Sequence, residues 1–198
     1  MPLPKVIRKL PDIITAAKDI MATTITTMAT ASEVPMVVDM PESRFWALMG
    51  HGPFHTCGSI FAKLDGAAKK AGLSESFGKT AMLVLCDVPN TAREDLVWAC
   101  GIAVWDKDTM DKGPPVDSEM VEIKVPAGKY ATVLHRGEYT GLPKAWGDLC
   151  TKWIPSQGLS PCTGARDMPH YEVYLSMDPM ETQLYCPVLS IQQHVDSE

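Results

Sequence analysis

The chain is 198 residues long, 45% hydrophobic and 21% charged, with a formal net charge of -6. That composition fits one sizeable core or two small ones and excludes disorder as the main state. The basic residues gather only at Lys5, Arg8 and Lys9, which argues against direct nucleic-acid binding, because that affinity rests on clustered Lys and Arg releasing counterions.

In chain order, residues 10–21 (LPDIITAAKDIM) place Ile13, Ile14, Ala17, Ile20 and Met21 on one helical face, which predicts an amphipathic helix serving as a dimer contact or as a cover for one end of a sheet. The Thr/Ala-rich stretch 22–33 reads as a linker. Residues 1–38 are therefore expected to form an N-terminal helix and linker, and residues 39–198 the domain proper. From Glu42 the chain is strand-like (SRFWALMG), turns at GHGPF, and enters a helical pattern in which Ile60, Phe61, Leu64, Ala68 and Ala71 share a face. Gly72 is a natural stop for that helix. MLVLCDVP and DLVWACGIAVW follow as strands joined by the polar turn PNTARED. The unit reads strand, helix, strand, strand.

The second half repeats that order. VEIKV and KYATVLH are extended segments broken at PAG, RGEYTG is a turn, and Leu142, Ala145, Trp146, Leu149 and Trp153 face inward on a helix with Pro143 in its first turn. HYEVYLSMD and ETQLYCPVLSI are two further strands. Adding 85 takes Gly52 to Gly137, Phe54 to Tyr139, Phe61 to Trp146, Leu64 to Leu149 and Ala68 to Trp153; one inserted residue then takes Gly72-Leu73 to Gly158-Leu159. The chain is thus read as an internal duplication, with module one over about 42–112 and module two over about 118–192. Each module has one helix to cover one face of its strands. The expected fold is α+β: one curved antiparallel sheet built on a pseudo-twofold axis, two helices on one face and a ligand cleft on the other.

Strand alternation sorts the candidates for that cleft. Tyr171, Val173 and Leu175 share one face of their strand and Glu172 and Tyr174 the other; Leu184, Cys186 and Val188 oppose Gln183 and Tyr185. Seating the helix on the aliphatic sets puts Glu172, Tyr174, Gln183 and Tyr185 together on the free face, with Tyr130 and Trp105 or Trp98 as candidates to join them. Aromatic faces around a carboxylate in a partly dry cleft attract cationic or planar aromatic ligands, each ring adding about 0.5–2 kcal/mol for a desolvated cation. The alternative is a solvated sheet capped by tyrosines, with Glu172 exposed.

The remaining motifs are weaker. Cys57, Cys86, Cys100, Cys150, Cys162 and Cys186 form no CxxC pair, so they read as reduced, small hydrophobes in a cytoplasmic protein. No run of 18 apolar residues is present and the N-terminal stretch lacks the apolar core of a signal peptide, so no membrane contact is expected. His51 and His55 have the spacing of a helical metal pair, but Gly52-Pro53 denies them the helix. His135 reads as a strand-ending side chain with its ring hydrogen-bonded or solvated. GxSxG, P-loop and GxGxxG signatures are absent. Neither metal nor cofactor is expected.

The stretch VPAGKYATVLHRGEYTGLPKAWGDL, with YEVYLSMDP and TQLYCPV after it, resembles the GyrI-like small-molecule-binding superfamily over about residues 40–190. The resemblance implies two strand-helix-strand-strand modules around a central cleft, and a range of functions: effector-binding domains, a gyrase inhibitor, and hydrolases that open the cyclopropane ring of DNA-alkylating compounds. Tyr130, Trp146, Glu172, Tyr174 and Tyr185 stand at the family's motif positions, with Trp146 read as core. Gln183 departs from the pattern, since the family usually has a glutamate there, and an amide cannot serve as a general base. Three functions are therefore expected as alternatives. The first is binding or sequestration of an aromatic or cationic xenobiotic through Trp105, Tyr130, Glu172, Tyr174, Gln183 and Tyr185, in a monomer or a homodimer. The second is hydrolysis of a strained ring with Glu172 activating water and Tyr174 orienting it. The third is inhibition of a topoisomerase by protein contact.

Overall fold

The structure is a computed structural model and describes residues 32–70, 80–104, 111, 113–162 and 168–190. The chain divides into two units, Met1–Ala31 and Ser32–Glu198. The expected helix over 10–21, the stop at Gly72 and Trp105 all lie outside the described residues.

Among the described residues nine strands form: β1 (Met36–Met40), β2 (Ser43–His51), β3 (Thr80–Val84), β4 (Val97–Val104), β5 (Val121–Val125), β6 (Gly128–Arg136), β7 (Leu159–Pro161), β8 (His170–Met177) and β9 (Met180–Ser190). The sheet order is β1-β6-β9-β8-β3-β4-β2-β5, antiparallel throughout, with β7 alongside the end of β9. Helix α1 (Cys57–Lys70) follows β2. After β6 come α2 (Leu142–Gly147), a π-helical stretch (Asp148–Trp153) and a last turn α3 (Ile154–Ser156). Pro155 has no N–H to offer the carbonyl four residues back, and the widened turn before it follows from that missing bond.

The expected duplication, curved antiparallel sheet and pair of helical segments are all present. β2, α1, β3 and β4 are matched by β6, the second helical stretch, β8 and β9, and Gly52 and Gly137, 85 apart, both adopt positive φ (78° and 119°) at the end of the first strand. β8 and β3 pair across the junction of the modules. β1, which the sequence reading passed over, pairs with β6 of the second module, while β5 pairs with β2 of the first.

That exchange explains the curvature. β1 and β2 stand six positions apart in the sheet order, about 29 Å in a flat sheet. Only Pro41 and Glu42 join them, and two residues reach roughly 11 Å at most. The sheet must curl. Pro126 and Ala127 impose the same condition on β5 and β6.

Both helices sit on one face. α1 covers Trp46, Leu48, Met82, Trp98 and Cys100 with Leu64 and Ala68; the second helical stretch covers Ala131, Leu184, Cys186 and Val188 with Leu142, Leu149 and Ile154. The other face is the inside of the curl. Phe45 on β2 and Tyr171 on β8 are three strands apart, yet their ring centroids lie 5.8 Å from each other. Space for the tyrosines comes from unequal halves: where module two has Tyr171 and Tyr185, the matching positions of module one are Ala81 and Gly101. A Cβ on Gly101 would come within 2.9 Å of the Ala47 Cβ.

Gly50 meets a similar constraint on the helix face. It pairs with Trp98, whose indole is buried and held by a 2.9 Å hydrogen bond from Nε1 to the Gly52 carbonyl. A Cβ on Gly50 would fall inside the contact distance of that ring. Gly50→Ala is expected to cost about 2–3 kcal/mol, read as a fall of roughly 5–10 °C in Tm; an unchanged Tm would show that the ring is free to move aside.

Candidate functional site

β8 lies at the seam, and every second side chain on it points toward the helices. His170, Glu172 and Tyr174 form that row, and the register places Glu172 beside Leu184 on one side and Met82 on the other. Glu172 is buried, with 4% of its surface exposed. Its Oε1 accepts a hydrogen bond from Trp146 Nε1 at 2.6 Å, and its Oε2 accepts one from the Tyr174 hydroxyl at 3.0 Å. Phe61 of α1 meets the Tyr174 ring edge-on at 5.3 Å, and Tyr139, from the turn before α2, meets it edge-on at 5.6 Å. Trp146 also stacks on His170, 5.7 Å between centroids and 13° from parallel.

The electrostatics are one-sided. Among the described residues Glu172 has neutral donors and no Lys or Arg at ion-pair distance. Burial pushes its carboxyl up; the bonds from Trp146 and Tyr174 and the nearby His135 pull it part of the way back. Burial and then the Glu172 charge push the Tyr174 hydroxyl up, and the Cys57 thiol at the start of α1 rises for the same two reasons. Tyr139 also rises, through burial, then Cys57 and Glu172. With 37% of its surface exposed, Tyr139 marks where this cluster meets solvent.

The remaining sequence candidates lie elsewhere. Glu172 and Tyr174 do not share a face with Gln183 and Tyr185: Tyr171 sits opposite Tyr185, and Glu172 opposite Leu184. Inside the curl, Tyr185 stacks on Tyr171 at 4.6 Å, and Tyr130 meets Tyr171 edge-on at 5.8 Å. Gln183 Nε2 donates to Thr132 Oγ1 at 2.6 Å, and that hydroxyl donates onward to the Leu184 carbonyl at 2.8 Å. Tyr130, Tyr171, Gln183 and Tyr185 are all buried there. The assignment of all four polar candidates to one helix-free face is therefore corrected. Alternation groups side chains within a strand, but the register between β8 and β9 decides which groups coincide. Trp105 lies outside the described residues.

Three members of the Glu172 cluster were not read as site residues: Trp146 as a contact, Phe61 and Tyr139. The duplication carried the signal, since Phe61 and Trp146 are 85 apart and both stand over the seam. His135 is hydrogen-bonded as expected, its Nε2 lying 3.0 Å from the Glu138 carbonyl. A groove of about 420 Å³ is lined by Val133, His135, Ala145, Leu149 and Trp153 among others, without Glu172.

Trp146→Phe tests the main contact. It keeps a ring over Glu172 but removes the donor to Oε1, leaving a buried acceptor unsatisfied. The carboxyl pKa is expected to move further up, seen by carbon-13 NMR titration, with about 1–3 kcal/mol lost at neutral pH and less in acid. A pKa that stayed put or fell would remove the indole from this role.

A profile of the GyrI-like small molecule binding domain matches residues 33–189. Solved structures share the fold, these three among them. An uncharacterized conserved protein from Listeria innocua superposes with a TM-score of 0.60 at 18% identity, over 83% of this chain and 96% of that one. The C-terminal domain of EcmrR gives 0.61 at 16%, over 80% and 98%. A hydrolase from Listeria innocua gives 0.57 at 18%, over 83% and 96%. No curated protein matches the chain.

Proposed function

Because this chain belongs to the GyrI-like small molecule binding domain family, we propose that it binds an amphipathic aromatic or cationic compound at the module seam, against Glu172. One observation carries the reading: a buried carboxylate with no Lys or Arg at ion-pair distance among the described residues, surrounded by Trp146, Tyr174, Tyr139 and Phe61. An uncompensated buried charge costs the folded state several kcal/mol. A cation brought by a ligand would recover part of that cost, and the rings would supply stacking area and their negative faces. Detoxification by sequestration is the role this chemistry suits.

A thermal-shift series with ethidium and with an uncharged planar analogue tests the reading. Ethidium is expected to raise Tm in proportion to the logarithm of its concentration, the analogue less so. A shift by ethidium that survives both Glu172→Gln and Tyr174→Ala would place binding away from the seam.

The hydrolase reading has a specific observation in its favour. A carboxylate whose pKa is raised by burial is a stronger base, and a tyrosine hydroxyl lies 3.0 Å from it. Glu172 would take a proton from water as the water oxygen bonds to a ring carbon. The strained carbon–carbon bond breaks toward an electron-withdrawing substituent, and the proton returns to the carbon released. Incubation with a cyclopropane-bearing alkylator and mass spectrometry separate the readings: a product heavier by one water, lost in Glu172→Gln, means turnover, and unchanged compound means binding. Nothing on the described surface favours direct contact with a topoisomerase over either.

A further inference from the structure

A pair of thiols stands behind this seam. Cys150, half-buried on the π-helical stretch, has its Sγ 3.7 Å from that of Cys186, buried on β9. The Cys186 sulfur lies 3.7 Å from His170 Nε2, which is 2.7 Å from the Cys162 carbonyl. A carbonyl can only accept, so Nε2 carries a hydrogen. His170 in turn stacks on Trp146, and Trp146 donates to Glu172. The path from the thiols to the carboxylate is two rings long.

We propose that Cys150 and Cys186 form a peroxide-responsive dithiol whose disulfide fastens the second helical stretch to β9. The sulfurs are already in contact, and closing by about 1.7 Å gives a disulfide bond. Their surroundings assign the roles. Cys150 is the more accessible, and the contact with Cys186 favours its thiolate, while Cys186 is held protonated by that same contact and by burial. The Cys150 thiolate attacks hydrogen peroxide: a sulfur–oxygen bond forms, the oxygen–oxygen bond breaks, hydroxide leaves, and the sulfur is oxidised to a sulfenic acid. Cys186 then attacks that sulfur, with its thiol proton and the sulfenic hydroxyl departing as water. Two thiols and one peroxide become one disulfide and two waters.

The same helical stretch carries Trp146. Fastening it holds the indole on Glu172, so the oxidised chain admits a ligand less readily; this consequence rests on the reading of the seam given above.

The test treats the full reduced chain with one equivalent of hydrogen peroxide, blocks free thiols, and maps the digest by mass spectrometry without reduction. A crosslink joining Cys150 to Cys186 and two hydrogens lighter is expected. It should come with a Tm higher by about 5–10 °C that dithiothreitol reverses, and with slower amide hydrogen exchange over 142–156. Cys150→Ser and Cys186→Ser should each lose the crosslink and the shift, and Cys162→Ser should keep both. Sulfinic acid at Cys150 without a crosslink, or a bridge between Cys162 and Cys186, overturns the proposal. Ethidium affinity is expected to be about tenfold weaker in the oxidised chain, and equal affinities would overturn the link to Glu172. If ethidium binds neither form, that counts against the binding reading alone, because the crosslink and the exchange rates judge the dithiol without it.

Discussion

Glu172→Gln is expected to raise stability at neutral pH and to remove most of the affinity for an aromatic cation. The amide is isosteric: its oxygen can still accept the Trp146 N–H, and its NH₂ can donate to the Tyr174 oxygen once that hydroxyl turns. What disappears is a charge that burial disfavours. The folded-state pKa of Glu172 lies above its ordinary value of 4.5. Its contribution to stability is therefore fully present below that ordinary value and is lost as pH rises through the raised folded-state pKa. Each pH unit of elevation costs about 1.4 kcal/mol above that point. Glu172→Gln should flatten this fall, which urea denaturation of both proteins between pH 4 and 8 would measure. Affinity should move the other way, because removing one member of a desolvated charge pair costs about 2–5 kcal/mol, roughly thirtyfold or more in Kd. A variant less stable than the original at pH 7 would mean that the carboxylate is paid for by a cation not seen beside it.

Gln183→Glu, the change that would restore the family's usual residue, is expected to destabilise the chain by about 3 kcal/mol at neutral pH. Gln183 is buried inside the curl with its Nε2 donating to Thr132 Oγ1. Thr132 Oγ1 also bonds the Leu184 carbonyl and the Tyr185 side chain, so a carboxylate at 183 would compete with both for its single proton. Gln183 Oε1 and the Tyr171 hydroxyl have no hydrogen-bond partner among the described residues as it is. The new carboxyl should stay protonated to an unusually high pH, so the loss should shrink toward pH 4. An equal loss at pH 4 and pH 8 would point to packing, and no loss would show that the site supplies a donor or lets water in. An amide at 183 offers no general base, so the hydrolase reading proposed above rests on Glu172.

How much of this was legible in the sequence depends on the kind of information each feature needs. Periodicity and an 85-residue offset fix the modules, because spacing is local and survives translation along the chain. Gly52 and Gly137 share positive φ for that reason, and Leu64 and Leu149 share burial. The faces were half legible. Leu184 and Cys186 do seat the helix as their aliphatic character implies, but on β8 the row of His170, Glu172 and Tyr174 points to the helices and Tyr171 points inward. No single strand contains its partner's register, and a shift of one residue exchanges the faces. The roles of Trp146 and Phe61 needed one further step: asking where the two modules' equivalent residues meet.

The crossed pairing of β1 with β6 and of β5 with β2 bears on what a lone module would be. Each module's leading strand completes the other module, so a separated half would carry one strand with no edge of its own to join and one edge with no strand to cover it. Two identical halves would satisfy both needs by trading leading strands, as domain-swapped partners do. In that light the two-residue links at Pro41-Glu42 and Pro126-Ala127 stand where the hinges of such an exchange between subunits would be.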